Sequence, residues 1–84
     1  MSYRVKLKKK AQKELDRLDA KSKLLVLKWI KENLENCDNP RAVAGGKTVE
    51  GVENGWRWRV GSYRILAVIE DEEITILVFR VGHR

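Results

Sequence analysis

Two arginines and two tryptophans alternate in one short segment of the chain. Arg57 and Arg59 are interleaved with Trp56 and Trp58, a period of two that is typical of a strand with one buried face. The alternation predicts that the tryptophans face the core and that the arginines lie on the opposite face. The arginines are therefore the candidates for chemistry, because a guanidinium carries a permanent charge and donates to phosphate in a bidentate geometry.

A tight turn adds a third arginine to this face. Gly61-Ser62 predicts a two-residue hairpin turn of type II′, in which glycine supplies the positive φ. Like charges directly opposite each other destabilise a strand pair, so the sequence predicts an anionic ligand at this face. A solvated strand face with a basic bias is the alternative that these residues leave open. The cross-strand pairs that follow from the turn are Val60–Tyr63, Arg59–Arg64, Trp58–Ile65 and Arg57–Leu66.

The whole chain is small and basic. Its 84 residues predict one domain, residues 1–84, and 18 Lys and Arg against 12 Asp and Glu give a formal net charge of +6. Such a charge favours polyanions by long-range attraction, and an acidic protein fits it as well as RNA does. One cysteine, Cys37, and one histidine, His83, are too few for a zinc-type cluster. We therefore expect no metal and no cofactor.

Cysteine usage and hydropathy predict the compartment. A lone cysteine is compatible with a reducing cytosol. The longest apolar run, residues 24–27, is too short to span a bilayer, and no secretory segment follows the first residue. We expect a cytoplasmic protein without membrane contact.

Periodicity predicts a strand and a helical hairpin in the first half of the chain. Residues 3–7 alternate as a strand, and Ala11, Leu15 and Leu18 recur at helical spacing. Asp19 is the predicted N-cap of a second helix over residues 20–36. The predicted apolar face of this helix comprises Leu24, Leu27, Ile30 and Leu34, widened by Leu25, Val26 and Trp29.

The second half predicts a surface loop followed by three strands. Residues 41–54 lack a clear period and predict a loop, and an acidic turn at 70–73 separates strands at 63–69 and 74–81. The fold class is therefore α+β: a strand, a helical hairpin, then a three-stranded antiparallel meander packed on the helices. The pairs predicted across the acidic turn are Ile69–Ile74, Ala67–Ile76 and Ile65–Val78.

The sheet face away from the helices is predicted to be apolar beyond the arginines. Such a patch is too large to leave in water, so we expect a partner to cover it. By the same alternation His83 falls on the arginine face, and it is the one side chain whose reference pKa lies near neutrality. An idle surface histidine is the alternative. The apolar residues of this face are Leu66, Val68, Leu77 and Phe79.

The hairpin Gly-Trp-Arg-Trp-Arg-Val-Gly-Ser-Tyr-Arg-Ile, residues 55–65, resembles the central hairpin of the RelE/ParE superfamily of bacterial toxins. Asp-Asn-Pro-Arg at 38–41 and Val-Gly-His-Arg at 81–84 are similar to other landmarks of that family, in the same order. The likeness covers nearly the whole chain and is nearest to the RelE-like ribonuclease branch. It implies a four-stranded sheet packed on two helices.

The resemblance also implies a function and its partners. It implies the toxin of a toxin–antitoxin system, a metal-independent endoribonuclease that cleaves mRNA on the ribosome and is held inactive by a RelB-like antitoxin. A ParE-like toxin that binds DNA gyrase and cleaves nothing is the alternative, and a plain basic RNA-binding module is a third possibility. Arg57, Arg59, Arg64 and Arg84 match the family's basic active-site positions. His83, from its place on the predicted arginine face, completes the predicted catalytic set as an acid or base.

The remaining site predictions concern binding. Lys8, Lys9, Lys10 and Lys47 are the predicted RNA-binding lysines, although solvated lysines are the alternative. Leu66, Val68, Leu77 and Phe79 are the predicted antitoxin contacts, most simply with an amphipathic helix. The chain ends at Arg84, so the family's C-terminal tyrosine has no counterpart, and we expect these 84 residues to cleave weakly or not at all.

Overall fold

The computed structural model describes residues 2–83 as two helices and one mixed sheet. None of the helices among these residues is long and apolar enough to cross a membrane. The elements in chain order are β1 Arg4–Leu7, α1 Lys9–Asp16, α2 Ala20–Asn33, a 3₁₀ turn Pro40–Ala42, β2 Gly46–Thr48, β3 Gly55–Val60, β4 Tyr63–Glu70 and β5 Thr75–His83.

The sheet has the strand order β1-β5-β4-β3-β2. The pair β1–β5 is parallel and the other three pairs are antiparallel. The predicted α+β class, with a strand and a helical hairpin ahead of an antiparallel meander, is confirmed. The predicted loop at residues 41–54 is wrong in part, because β2 pairs with β3 there and gives the sheet a fifth strand.

One face of the sheet forms the core with the helices. Trp58 is fully buried, and its ring centroid lies 6.4 Å from that of Trp29 on α2. The indole Nε1 of Trp58 donates to the carbonyl of Pro40 at 3.3 Å, so the buried ring also holds the segment that follows α2. The buried apolar residues are Ala11, Leu15, Val26, Ile30, Leu34, Trp58, Val60, Ile65, Ala67, Ile69, Ile76, Val78 and Val81.

The β3–β4 hairpin has the predicted register. All four predicted pairs, from Val60–Tyr63 to Arg57–Leu66, are observed. Gly61 has a φ of +59°, as the predicted turn requires. Because side chains alternate strictly along a strand, this register decides that Trp58 faces the helices while Arg59 faces away.

The β4–β5 register differs from the prediction. The turn comprises residues 71–74, not 70–73, and Ile69 pairs with Ile76, not with Ile74. Ile74 closes the turn with a φ of +49°, a conformation rarely adopted by a β-branched residue. The shift is two residues, so the face assignments near the turn are unchanged.

A bulge in β5 changes the faces farther along. Leu66 pairs with Arg80 while Ala67 pairs with Val78, so Phe79 is an extra residue without a partner on β4. The predicted pair Ile65–Val78 is therefore wrong, and Ile65 pairs with Val81.

The buried face of helix α2 differs from the predicted one. Val26, Ile30 and the following Leu34 are buried, which is a row at a spacing of four residues. Three leucines that were expected to contribute to the core point to solvent instead. Their exposed fractions are 67% for Leu24, 49% for Leu25 and 37% for Leu27.

Replacing Trp58 with Ala should cost about 3–5 kcal/mol of unfolding free energy, because the ring is fully buried and the cavity is large. Urea denaturation of the wild type and the variant measures this difference. Leu24→Ala is the matched control, since it also removes an apolar side chain, but from the surface, where changes stay within about 0.5 kcal/mol. A Trp58→Ala variant as stable as the Leu24→Ala variant would contradict the proposed core.

Candidate anion-binding site

Four cationic side chains line one depression on the sheet face that points away from the helices. Arg57 and Arg59 come from β3, Arg64 comes from β4, and Lys47 comes from β2. The depression has a volume of about 170 Å³, and Gly45 completes its wall. We call it the arginine cleft.

The strand register brings these charges together. Arg59 lies directly opposite Arg64, and Lys47 lies directly opposite Arg57. The ion pairs of the described residues are Lys23–Asp16, Arg41–Asp71 and Arg80–Glu14, so no carboxylate within residues 2–83 neutralises the cleft. Four cations in a small depression form a field that attracts an anion, with donors suited to phosphate oxygens.

Short strand β2 can approach the hairpin because Gly46 has no side chain. A Cβ at Gly46 would collide with the indole nitrogens of Trp56 and Trp58. The glycine therefore allows β2 to lie over the two indoles, and this position carries Lys47 to the cleft. The sequence contains this signal as Gly45-Gly46, which falls inside the predicted loop at residues 41–54.

A second anchor holds the segment before β2. Arg41 donates twice to the carboxylate of Asp71, at 3.0 Å to each oxygen, and the hydroxyl of Tyr3 donates to the same carboxylate at 2.7 Å. The hydrogen bonds from Arg41 and then from Tyr3 lower the pKa of Asp71 below its ordinary value. This contact ties β1, the 3₁₀ turn and the β4–β5 turn together beside the core.

Two further depressions adjoin the arginine cleft. Thr48 and Glu50 line one of them together with Arg57, Arg64 and Leu66. Sequence analysis missed Glu50, because it lies in the segment interpreted as a structureless loop. Glu50 lines this neighbouring depression and is not among the residues that line the arginine cleft itself.

His83 does not share the face of the arginines. The bulge places it opposite Tyr63, and the two rings pack at a tilt of 43° with centroids 4.5 Å apart. The hydroxyl of Tyr63 donates in turn to Ser22 of α2 at 2.8 Å. The predicted face of His83 is therefore wrong, although the residue also borders a depression shared with Arg64 and Arg80. Arg84, predicted to be catalytic, lies outside the described residues.

The predicted binding residues separate into four places. Lys47 lines the arginine cleft, whereas Lys9 and Lys10 are exposed at the start of α1. Leu66 lies between the cleft and the bulge. A separate hollow is lined by Lys8, Val52, Val68, Glu70, Leu77 and Phe79.

A family model described as the ParE toxin of the type II toxin–antitoxin system parDE matches residues 5–84. No curated protein sequence matches the chain significantly. Solved structures of RelE toxins do match, over nearly the full length of the chain.

Three of these structures span bacteria and archaea. A chain of the toxin–antitoxin complex RelBE2 from Mycobacterium tuberculosis has a TM-score of 0.83 and 26% identity, with 100% of both chains covered. A chain of the RelE–RelB complex from Pyrococcus horikoshii has a TM-score of 0.77 and 27% identity, covering 100% of this chain and 97% of the other. A mutant of Escherichia coli RelE in the free state has a TM-score of 0.77 and 25% identity, covering 99% and 84%.

Arg59→Thr should leave thermal stability equal or higher, because it removes one of two like charges that lie directly opposite each other. Arg41→Thr is the matched control: it removes the same side chain, but from an ion pair with Asp71, so its melting temperature should fall. Differential scanning calorimetry at low salt compares the two variants. A clear loss of stability in Arg59→Thr would contradict the repulsion.

Proposed function

The chain belongs to the ParE toxin family of type II toxin–antitoxin systems, within the RelE/ParE superfamily, and we propose that it is a RelE-like endoribonuclease that cleaves mRNA on the ribosome. The observation that carries this proposal is the arginine cleft, where Lys47, Arg57, Arg59 and Arg64 converge without a neutralising carboxylate. Closely spaced guanidiniums suit the phosphates of RNA, whose oxygens accept bidentate hydrogen bonds.

The reaction that suits this cleft uses the RNA's own nucleophile. The ribose 2′-oxygen attacks the adjacent phosphorus and loses its proton, the bond from phosphorus to the 5′-oxygen breaks, and that oxygen takes up a proton. The products are a 2′,3′-cyclic phosphate and a free 5′-hydroxyl. Negative charge builds on the phosphate oxygens in between, and fixed guanidiniums stabilise this charge without reorganisation. Arginine does not exchange protons near neutral pH, so both proton transfers need other groups.

We assign those transfers to Glu50 and His83, which line the two depressions beside the cleft. Glu50 shares its depression with Arg57 and Arg64, and its carboxylate is the proposed acceptor of the 2′-OH proton. His83 shares the other depression with Arg64 and is the proposed donor to the leaving 5′-oxygen, a role that requires its ring to move away from Tyr63.

The alternative function is inhibition of DNA gyrase by a toxin that cleaves nothing. The family model that matches the chain is named for ParE, and this observation favours the alternative. The arginine cleft favours RNA, because guanidiniums that face each other destabilise the free protein unless an anion binds between them.

The proposed antitoxin binds a surface that includes the exposed leucines of α2. Leu27 borders an apolar groove with Val5, Leu7 and Ile30, and Leu24 is the most exposed of the three leucines. Exposed lysines at 21, 28 and 31 flank this surface, so it fits an amphipathic segment with acidic flanks better than a second copy of this basic chain. Contact of the antitoxin with Leu66, Val68, Leu77 and Phe79 stays a prediction.

Arg64→Ala should lower cleavage of ribosome-bound mRNA by about 10²–10³, the usual cost of removing one preorganised charge from a transition-state site. Toeprinting of the mRNA, with and without the protein, measures the cleavage. Arg17→Ala is the matched control, because it removes the same charge from an exposed helix end and should leave cleavage unchanged.

A gyrase supercoiling assay with the same preparations separates the two functions. Inhibited supercoiling with intact mRNA would overturn the ribonuclease proposal and support the gyrase alternative. Equal loss of cleavage in Arg17→Ala and Arg64→Ala would instead mean that total charge matters and that the cleft does not.

Leu24→Glu should weaken antitoxin binding more than Leu24→Lys does, because both changes remove the apolar contact and only the first opposes an acidic partner. Isothermal titration with the cognate antitoxin measures both affinities. Leu77→Glu, on the other face of the sheet, tests the predicted contact there. Full affinity in both Leu24 variants would show that the antitoxin does not use α2.

A further inference from the structure

The bulge in β5 leaves one aromatic side chain without a cross-strand neighbour. Phe79 has no partner on β4, because Leu66 pairs with Arg80 and Ala67 pairs with Val78. Bulges are common beside functional sites. Phe79 is half-buried and borders a hollow on the sheet face that carries the arginine cleft.

This hollow has an apolar floor and one cation at its rim. Val68, Leu77 and Phe79 form the floor, and Val52 closes one side. Lys8 and Glu70 stand at the rim. Its volume is about 390 Å³, so the hollow admits a flat aromatic ligand.

The hollow continues the arginine cleft across the sheet. Arg57 on β3 lies opposite Leu66 on β4, and Leu66 lies opposite the bulge on β5. Two strand spacings separate Arg57 from Phe79, or about 10 Å. One or two nucleotides of an extended single strand span that distance.

We propose that the Phe79 hollow is a nucleobase site, in which a base of single-stranded RNA stacks on the phenyl ring while a neighbouring phosphate lies in the arginine cleft. Cations at both ends of an apolar aromatic surface form the usual arrangement for a single strand, whose phosphates seek charge and whose bases seek rings. Glu70 at the rim repels phosphate, but it accepts hydrogen bonds from the amino groups of a base. The RNA is single-stranded, since a paired base cannot expose its face to a ring.

This inference rests on the proposed function, because it needs RNA in the arginine cleft. A fluorescence anisotropy titration tests it with a short fluorescein-labelled RNA that carries 2′-O-methylribose throughout, so that no free 2′-OH can attack and no cleavage occurs. A series of oligonucleotides of the same length serves for comparison, and each member lacks the base at a different single position. Phe79→Leu keeps an apolar side chain in the hollow and removes the stacking face, and Phe79→Tyr restores that face.

Phe79→Leu should weaken binding of the intact strand by roughly 5- to 150-fold, which corresponds to about 1–3 kcal/mol for one stacked base. For one member of the abasic series, the one that lacks the stacked base, Phe79→Leu and the wild type should bind with equal affinity. Phe79→Tyr should bind the intact strand with the affinity of the wild type. This pattern identifies the nucleotide that occupies the hollow.

The outcomes separate this inference from the proposed function. If the wild type binds the strand and Phe79→Leu binds it equally well, the nucleobase site is overturned while the arginine cleft stands. If Phe79→Leu weakens the intact and all abasic strands alike, or weakens only the antitoxin, the residue has a structural or protein-docking role and the inference fails. If the wild type binds no strand and Arg64→Ala leaves cleavage of ribosome-bound mRNA unchanged, the proposed function fails together with this inference.

Discussion

The two-residue turn at Gly61-Ser62 determines the register of the β3–β4 hairpin, and the other features of the site depend on that register. Side chains alternate along both strands, so a slip of one residue would exchange the two faces. The observed register buries Trp58 against the helices and sets Arg59 opposite Arg64 on the outer face. The same short turn therefore brings one side of the hairpin into the core and concentrates the positive charge on the other side.

The core and the cleft are coupled again through the segment that follows α2. The indole of Trp58 donates to the carbonyl of Pro40, and Arg41 is tied to Asp71. These contacts fix the start of a segment whose later residues, Gly46 and Lys47, lie against β3. A cation from a distant part of the sequence thus enters the cleft through contacts that the core itself provides.

The parts of the structure that could be predicted from the sequence are those that local chemistry specifies. A Gly-Ser turn between alternating strands dictates its own pairs, and Asp19 caps α2 by accepting from the Ser22 N–H, as a carboxylate before a helix is expected to do. Periodicity could not choose which side of a broadly apolar α2 faces the sheet, because tertiary packing makes that choice. Here Trp29 packs beside Trp58, and this contact leaves Leu24 outside.

The misplaced features share a different cause. Ile74 adopts a positive φ, a conformation that its β-branched side chain disfavours. Phe79 is inserted as a bulge without a partner on β4, and this extra residue puts His83 opposite Tyr63, on the helix side. Alternation along the sequence signals neither the turn conformation nor the extra residue.

Charge repulsion in the cleft links stability to occupancy. Arginines that face each other raise the free energy of the folded protein when the cleft is empty. An anion that binds only the folded state stabilises it by RT ln(1 + [L]/Kd), which offsets this repulsion. An acidic segment of a protein partner and the phosphates of RNA both meet this description, and they would compete for the same guanidiniums. Under the proposed function, an acidic antitoxin segment in the cleft would stabilise the toxin through the same charges that bind RNA. The sequence therefore tolerates an unfavourable pair, Arg59 and Arg64, that selection for the stability of the isolated chain would remove.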